Sequence, residues 1–375
     1  MSIPAPSIPE SVFQKRGSQN LYSPTNMAQD GQAILGSLYV YAPNKGAPIF
    51  FTIAYAISAI FHLWQCYRYR SWKLIGLHPL CAVLFTVGYA MREYGSYNYM
   101  YILDDSTPLI IFILSQVCIL VCPPFLELAN YHVLGRVFHY VPYAAPLSPS
   151  RVTSFFGGIM AIIEGLNGAG VSLSANANAS EASKNTGHIL VLIALVLQVL
   201  VIMVFAYLSI SFHRRCIMAR SPMQTKAVKS SLITLYMSMI LIFVRCVYRL
   251  VENATGTTSV DIDNIEALED LSPILRYEVY FYIFEASLML VNSVLWNIRH
   301  PGPYLPQDHH IYLAQDGTEI KGEMTASDGR PFLLNIVNTL FCGLLFRDKK
   351  PARQSQSHEL IEERHINDHS SSTSV

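Results

Sequence analysis

The chain alternates long apolar runs with short polar connections, and the runs are too long for strands. About 20 mostly apolar residues are needed for a helix to cross the hydrocarbon core of a bilayer. Seven stretches meet that length or approach it: Pro48–Cys66, Leu74–Met91, Pro108–Leu128, Thr153–Leu173, His188–Ile210, Ser231–Val251 and Tyr277–Asn297. Backbone facing lipid must satisfy its own hydrogen bonds, so these runs predict helices. The expected fold is an all-α integral membrane protein, a bundle of seven transmembrane helices. Residues 1–47 form a polar segment before it, residues 48–302 the bundle, and residues 303–375 a tail. A further apolar run, Pro331–Phe346, is 16 residues long and broken by Asn335 and Asn338. It predicts a helix lying on the membrane surface.

Lysine and arginine orient the bundle, because they collect in cytoplasmic connections. The first, third and fifth connections hold ten (Arg68, Arg70, Lys73, Arg136, Arg151, Arg214, Arg215, Arg220, Lys226 and Lys229), whereas the second, fourth and sixth hold three, Arg92, Lys184 and Arg276. That asymmetry places the amino terminus outside and the carboxyl terminus in the cytoplasm. Two sequons, at Asn178 and Asn253, then lie on the outer side as candidate glycosylation sites.

Composition agrees with lipid as the solvent. Of 375 residues, 51% are hydrophobic and 14% charged, against roughly 25% charged in a soluble domain. The formal net charge is zero, which gives no basic surface for nucleic acid. The seven cysteines suggest no extracellular disulfide framework, and the dispersed histidines suggest no metal site and no cofactor. A hydrolytic site would need clustered metal ligands or a nucleophile beside its base, so no enzyme is expected.

Polar residues inside the runs are the candidate chemistry. Counted from the outer helix ends at about 1.5 Å per residue, Arg245, Glu285, Glu164, Gln116 and Gln198 all lie roughly 9–15 Å deep. Charged residues at such depth usually face a bundle interior or a water-filled cavity. Arg245 and Glu285 are the expected ion pair, with Glu164 either sharing the arginine or kept neutral by desolvation. Arg249 and Tyr248 extend the layer outward toward Glu252, Glu278, Arg92 and Glu93 at the rim. Such a layer suits an amine-bearing or zwitterionic amphiphile, its head on the carboxylates and its chain between helices. Pro123-Pro124 predicts a kink, and Gly165, Gly168 and Gly170 predict a close helix approach.

The chain resembles the fungal RTA1-like family of seven-helix proteins, also called lipid-translocating exporters, over roughly Tyr41 to Gly302. The matching pieces are Tyr41-Ala-Pro43, Gly88-Tyr89 with Arg92, Pro123-Pro124 with Tyr131 and Leu134-Gly135-Arg136, and Gly168-Ala-Gly170. Gln198, Arg245 with Tyr248-Arg249 and Glu252, Glu278 through Ala286, and His300-Pro301-Gly302 complete the series. Phe85, Gly157, Glu164, Glu285 and Leu288 depart from the residues usual in that family. The resemblance implies a multi-pass plasma-membrane protein that translocates or exports lipids or amphiphiles, sphingoid-base-like or toxic, and so gives resistance. Its partners would be membrane lipids or an amphiphilic small molecule. The competing expectation is a seven-helix receptor or lipid sensor without transport.

Overall fold

A computed structural model describes residues 34, 36–101, 105–146, 149–176, 179–218, 226–256, 268, 270–302, 311–313 and 319–321. The chain divides into units 1–325 and 326–375, and the described residues all belong to the first. The expected surface helix at 331–346, the sequon asparagine Asn178 and most of the acidic sixth connection lie outside the described residues.

The long helices are α1 (Ala47–Tyr69), α2 (Leu77–Tyr97), α3 (Thr107–Leu120), α4 (Cys122–Tyr140), α5 (Pro149–Ala175), α6 (Glu181–Met218), α7 (Lys226–Thr255) and α8 (Glu278–Ile298). Local signals set several ends. The Asn44 side-chain oxygen accepts from the Gly46 and Ala47 amides at 2.8 and 3.0 Å, and Pro48 occupies the first turn of α1. Arg70 ends that helix in the left-handed region, φ 49°.

The third apolar run differs from its expected form. It continues past Leu128 to Tyr140 and breaks at Val121, giving α3 and α4 in place of one span. Proline has no amide hydrogen and clashes with the preceding turn, so Pro123 and Pro124 are accommodated in the first turn of a new helix. Together the two pieces cover 34 residues, or about 51 Å at 1.5 Å per residue, well beyond a hydrocarbon core of about 30 Å. Helix α4 is the central post: 16 of its 19 residues are buried. Around it α2, α5 and α7 pack directly, while α1 closes against both α2 and α8.

The outer surface is apolar. Ile53, Ile57, Ile60 and Trp64 of α1 are exposed, as are Ile193, Leu200 and Met203 of α6. Contiguous exposed apolar surface of this kind belongs against lipid. Among the described residues six helices are long and apolar enough to cross a membrane: α1, the joined α3–α4, and α5 to α8. Helix α2, 21 residues long and carrying Arg92 and Glu93, is not among them. Beyond α8, β1 (Ile311–Leu313) and β2 (Glu319–Lys321) pair antiparallel, Ile311 opposite Lys321.

Of the three clustered glycines, only Gly170 makes a helix crossing. A Cβ there would sit 2.7 Å from the Gly187 carbonyl oxygen, and one on Gly187 2.6 Å from that of Gly170. Gly165 and Gly168 face open space. Gly187→Val is therefore expected to force α5 and α6 apart and to cost at least about 1–3 kcal/mol. Gly165→Ala should be neutral or stabilise by up to about 1 kcal/mol. Unfolding midpoints in one detergent would compare them; equal midpoints would dismiss the crossing.

Candidate functional site

Helix α8 supplies two acids, Glu278 and Glu285, and the turn between them is irregular. Tyr282–Ser287 is a π-helical segment, a widening that occurs often at functional sites and turns the residues beyond it. Glu285 is fully buried and pairs with Arg245 of α7, Nε to Oε1 2.7 Å. The other Glu285 oxygen has no hydrogen-bond partner among the described residues. Beside it, Tyr55 Oη donates to the Ala286 carbonyl at 3.0 Å.

Glu127 of α4 enters the same layer. One of its oxygens accepts from Gln198 Nε2 at 3.1 Å, the other has no partner among the described residues, and the residue is fully buried. Glu164 of α5 is half-buried and within electrostatic reach of both Arg245 and Glu127. One guanidinium group is thus paired with one carboxyl group and lies within electrostatic reach of two more. A buried charge without its partner costs several kcal/mol, so the composition of this layer favours a cation or protons.

A second buried pair lies one stretch along α8. Arg92 Nη2 meets Glu278 Oε1 at 2.8 Å, with side chains 2% and 5% exposed. The guanidinium also donates to Tyr41 Oη at 3.2 Å and Tyr282 Oη at 3.3 Å, and lies 4.2 Å from the Phe281 ring centre and 4.9 Å from that of Tyr39. Both residues stand near helix ends, where the rim is expected, and the segment before α1 covers them. Ser37 bridges to Met100, and the Asn44 amide donates to Glu278 Oε2 at 2.7 Å. Burial raises the Tyr39 and Tyr41 phenol pKa values, which keeps both neutral, and Tyr41 accepts from the guanidinium.

The remaining candidates are spread around this axis. Arg249 pairs with Glu252, one turn along the same helix, and Tyr248 stacks on Phe284 with centroids 5.3 Å apart. Gln116 is half-buried on α3 and takes part in none of these bonds. Asn253 lies within α7, its side-chain amide donating to the Arg249 carbonyl at 2.8 Å. Among the described residues no group of three or more His, Cys, Asp or Glu side chains converges as metal ligands do.

An apolar groove of about 470 Å³ opens between α6 and α7, its walls including Ile202, Ala206, Ser209, Leu235, Met239 and Phe243. It adjoins the polar layer. Ile202 is one turn from Gln198, and Met239 Sδ lies 3.3 Å from the amide of Asn130, one turn from Glu127. Ligand pockets usually fall between about 300 and 1,000 Å³.

Apolar helices around a buried charged layer define a multi-pass helical membrane protein. The chain matches the family model described as RTA1 like protein over residues 79–308. It is 64% identical to the lipid-translocating exporter-like protein RTA1 of Leptosphaeria maculans (strain JN3 / isolate v23.1.3 / race Av1-4-5-6-7-8), over 96% of this chain and 70% of that protein. A protein of the same name from Ajellomyces capsulatus is 32% identical over 64% of this chain and 75% of its own length. The chain belongs to the RTA1-like family. No solved structure matches it.

Proposed function

We propose that the protein translocates a cationic amphiphile, a lipid or a toxic small molecule of sphingoid-base type, across the plasma membrane and so gives resistance to it. It does so as a bundle of seven spans, with α2 as the additional span and the amino terminus outside. One observation carries this reading: a buried layer richer in carboxyl than in guanidinium groups adjoins an apolar groove open between two helices. An amine head placed on Glu285, Glu127 and Glu164 would leave its hydrocarbon tail beside the groove. The names of both relatives as lipid-translocating exporters agree with it. Residues that hold an amphiphile without transforming it suit a transporter rather than an enzyme.

Vesicles containing the purified chain should move a fluorescent long-chain amine between leaflets faster than empty vesicles. Ala206→Phe, which fills the groove wall, should slow a long-chain amine at least about tenfold, equivalent to about 1.4 kcal/mol, and leave a short-chain amine unaffected. Saturable binding of the amine with no flux would favour a receptor instead.

A further inference from the structure

A second run of polar side chains leads away from the Arg245–Glu285 pair between α1, α2 and α8. Tyr55, Ser58 and His62 follow one another on α1 at helical spacing, and Glu285, Asn292 and Ser293 do so on α8. Ser58 Oγ lies 2.7 Å from Ser293 Oγ, which is 3.1 Å from His62 Nε2. The His62 and His78 rings are 5.7 Å apart, and His78 rests against Trp296 at 4.6 Å. At the far end the Gly302 amide donates to His300 Nδ1 at 3.0 Å, which leaves the proton of the neutral ring on Nε2, 3.5 Å from Ser71 Oγ. Burial lowers the His300 pKa to about 4, so that ring is neutral near pH 7.

Several members of this run are fully enclosed yet unsatisfied. At least one ring nitrogen of His78, both polar side-chain atoms of Asn292, Tyr89 Oη and Glu285 Oε2 have no hydrogen-bond partner among the described residues, the other His78 nitrogen being turned to the Ile75 backbone. His78 is 2% exposed and the other three are 0% exposed. A single unsatisfied polar group in a membrane interior costs several kcal/mol. At least five such atoms along one seam are stable together only if small polar molecules bond to them, and water is the ligand that fits donors and acceptors alike. Chains of acids, histidines and water are the usual proton relays of membrane pumps.

We propose that this seam is a water-filled proton pathway joining Glu285 to the membrane face at His300, and that protons exchanged along it drive amphiphile movement. The second part rests on the translocation reading; the first does not. A proton taken from bulk water at His300 passes through His78 and His62 to the Glu285 carboxylate. There an O–H bond forms, the carboxylate charge is lost, and the hold on Arg245 weakens. An arriving ammonium head favours the reverse, with the proton returned to water by the same groups. Glu285 is faced by Arg245 and Cys246 from α7, Cys122 from α4, Tyr55 from α1 and Tyr89 from α2, and Glu127 of α4 reaches the same arginine. His62 and His78 are faced by each other and by His300, with Ser293 and Trp296 from α8. Among the described residues no carboxylate pins a proton on either ring, as a relay that must pass it on requires.

Two measurements on the full chain in vesicles test this. Deuterium labelling at the imidazole C2 carbons, read by mass spectrometry, reports water reaching a histidine and needs no variant. His62 and His78 should label in heavy water. Protection of both, while half-buried His188 labels, would overturn the pathway. In vesicles loaded with a pH-sensitive dye, amine movement by the unmodified chain should accelerate under an imposed pH gradient and shift the dye. His62→Gln with His78→Gln should keep amine exchange at equal pH and lose the acceleration. Acceleration surviving in that variant, or absent from an unmodified chain that moves the amine, would overturn proton coupling. An unmodified chain that moves no amine defeats the translocation reading, and histidine labelling then decides the water seam by itself.

Discussion

Glu285→Ala is expected to destabilise the protein by about 3–5 kcal/mol, because it strands the Arg245 guanidinium in a site where 5% of its side chain is exposed. Replacing both partners with apolar residues of similar volume, Arg245→Met with Glu285→Met, should recover most of that loss, since neither member of the pair is then left buried alone and Glu127 keeps its bond to Gln198. The two variants separate architecture from activity. The double variant should reach the membrane and unfold near the normal midpoint, yet move no labelled long-chain amine. A double variant that transports normally would remove the pair from the proposed site. One that stays as unstable as Glu285→Ala would show that the pair itself, rather than an uncompensated charge, holds α7 to α8. Thermal unfolding in detergent and leaflet-exchange kinetics in vesicles supply the two readouts.

Depth arithmetic could find this pair because both residues stand inside apolar runs, whose ends a helix rise converts into ångströms. Glu127 escaped the same reasoning. A span of ordinary length starting at Pro108 ends at Leu128, which places Glu127 at a helix end beside water. The signal that continues the helix is modest: Leu126, Ala129, Val133 and Val137 keep helical spacing beyond that point, and all four are buried. Length priors assume one straight crossing, and the Pro123-Pro124 break allows a second helix to run on through the middle of the bundle. The π segment on α8 was not legible at all, since a single wide turn leaves no mark on hydrophobic periodicity.

Glycine shows the same division between local and tertiary information. Gly165, Gly168 and Gly170 are equivalent as residue types at small-residue spacing, but only Gly170 meets a neighbour, and that neighbour is Gly187. Sequence can supply the capacity for close approach; which face is used depends on where α6 lies. The histidines were read as dispersed because 16 residues separate His62 from His78. The turn between α1 and α2 brings their rings to 5.7 Å, a contact no spacing rule within one helix could foresee.

The enclosure of the outer pair is hidden from the sequence for a further reason, and it yields the second large expected effect. Residues before Ala47 are mostly polar, and their one apolar stretch, at 33–42, is too short to span a membrane, so the sequence does not say that it packs against the bundle. Tyr39 and Tyr41 do pack there, and they enclose Arg92 and Glu278. Arg92→Ala should therefore behave as a core substitution, costing about 3–5 kcal/mol by leaving Glu278 buried without its cation. Arg92→Lys keeps the charge but cannot reproduce the planar fork that reaches Tyr41, Tyr282 and Glu278 together, nor stack as well on Phe281. It should recover only part of the loss. Tyr41→Phe removes one hydrogen bond to the guanidinium, worth about 1.5–3 kcal/mol. Limited proteolysis checks the enclosure directly. In Arg92→Ala the stretch at Ser37–Asn44 should become cleavable while the bundle remains intact, because the contacts anchoring it to α2 and α8 pass through Arg92 and Glu278. Equal cleavage rates in the unmodified and variant proteins would mean that the segment is held by other means, the Ser37–Met100 bridge and the Tyr39–Phe112 ring contact being the candidates.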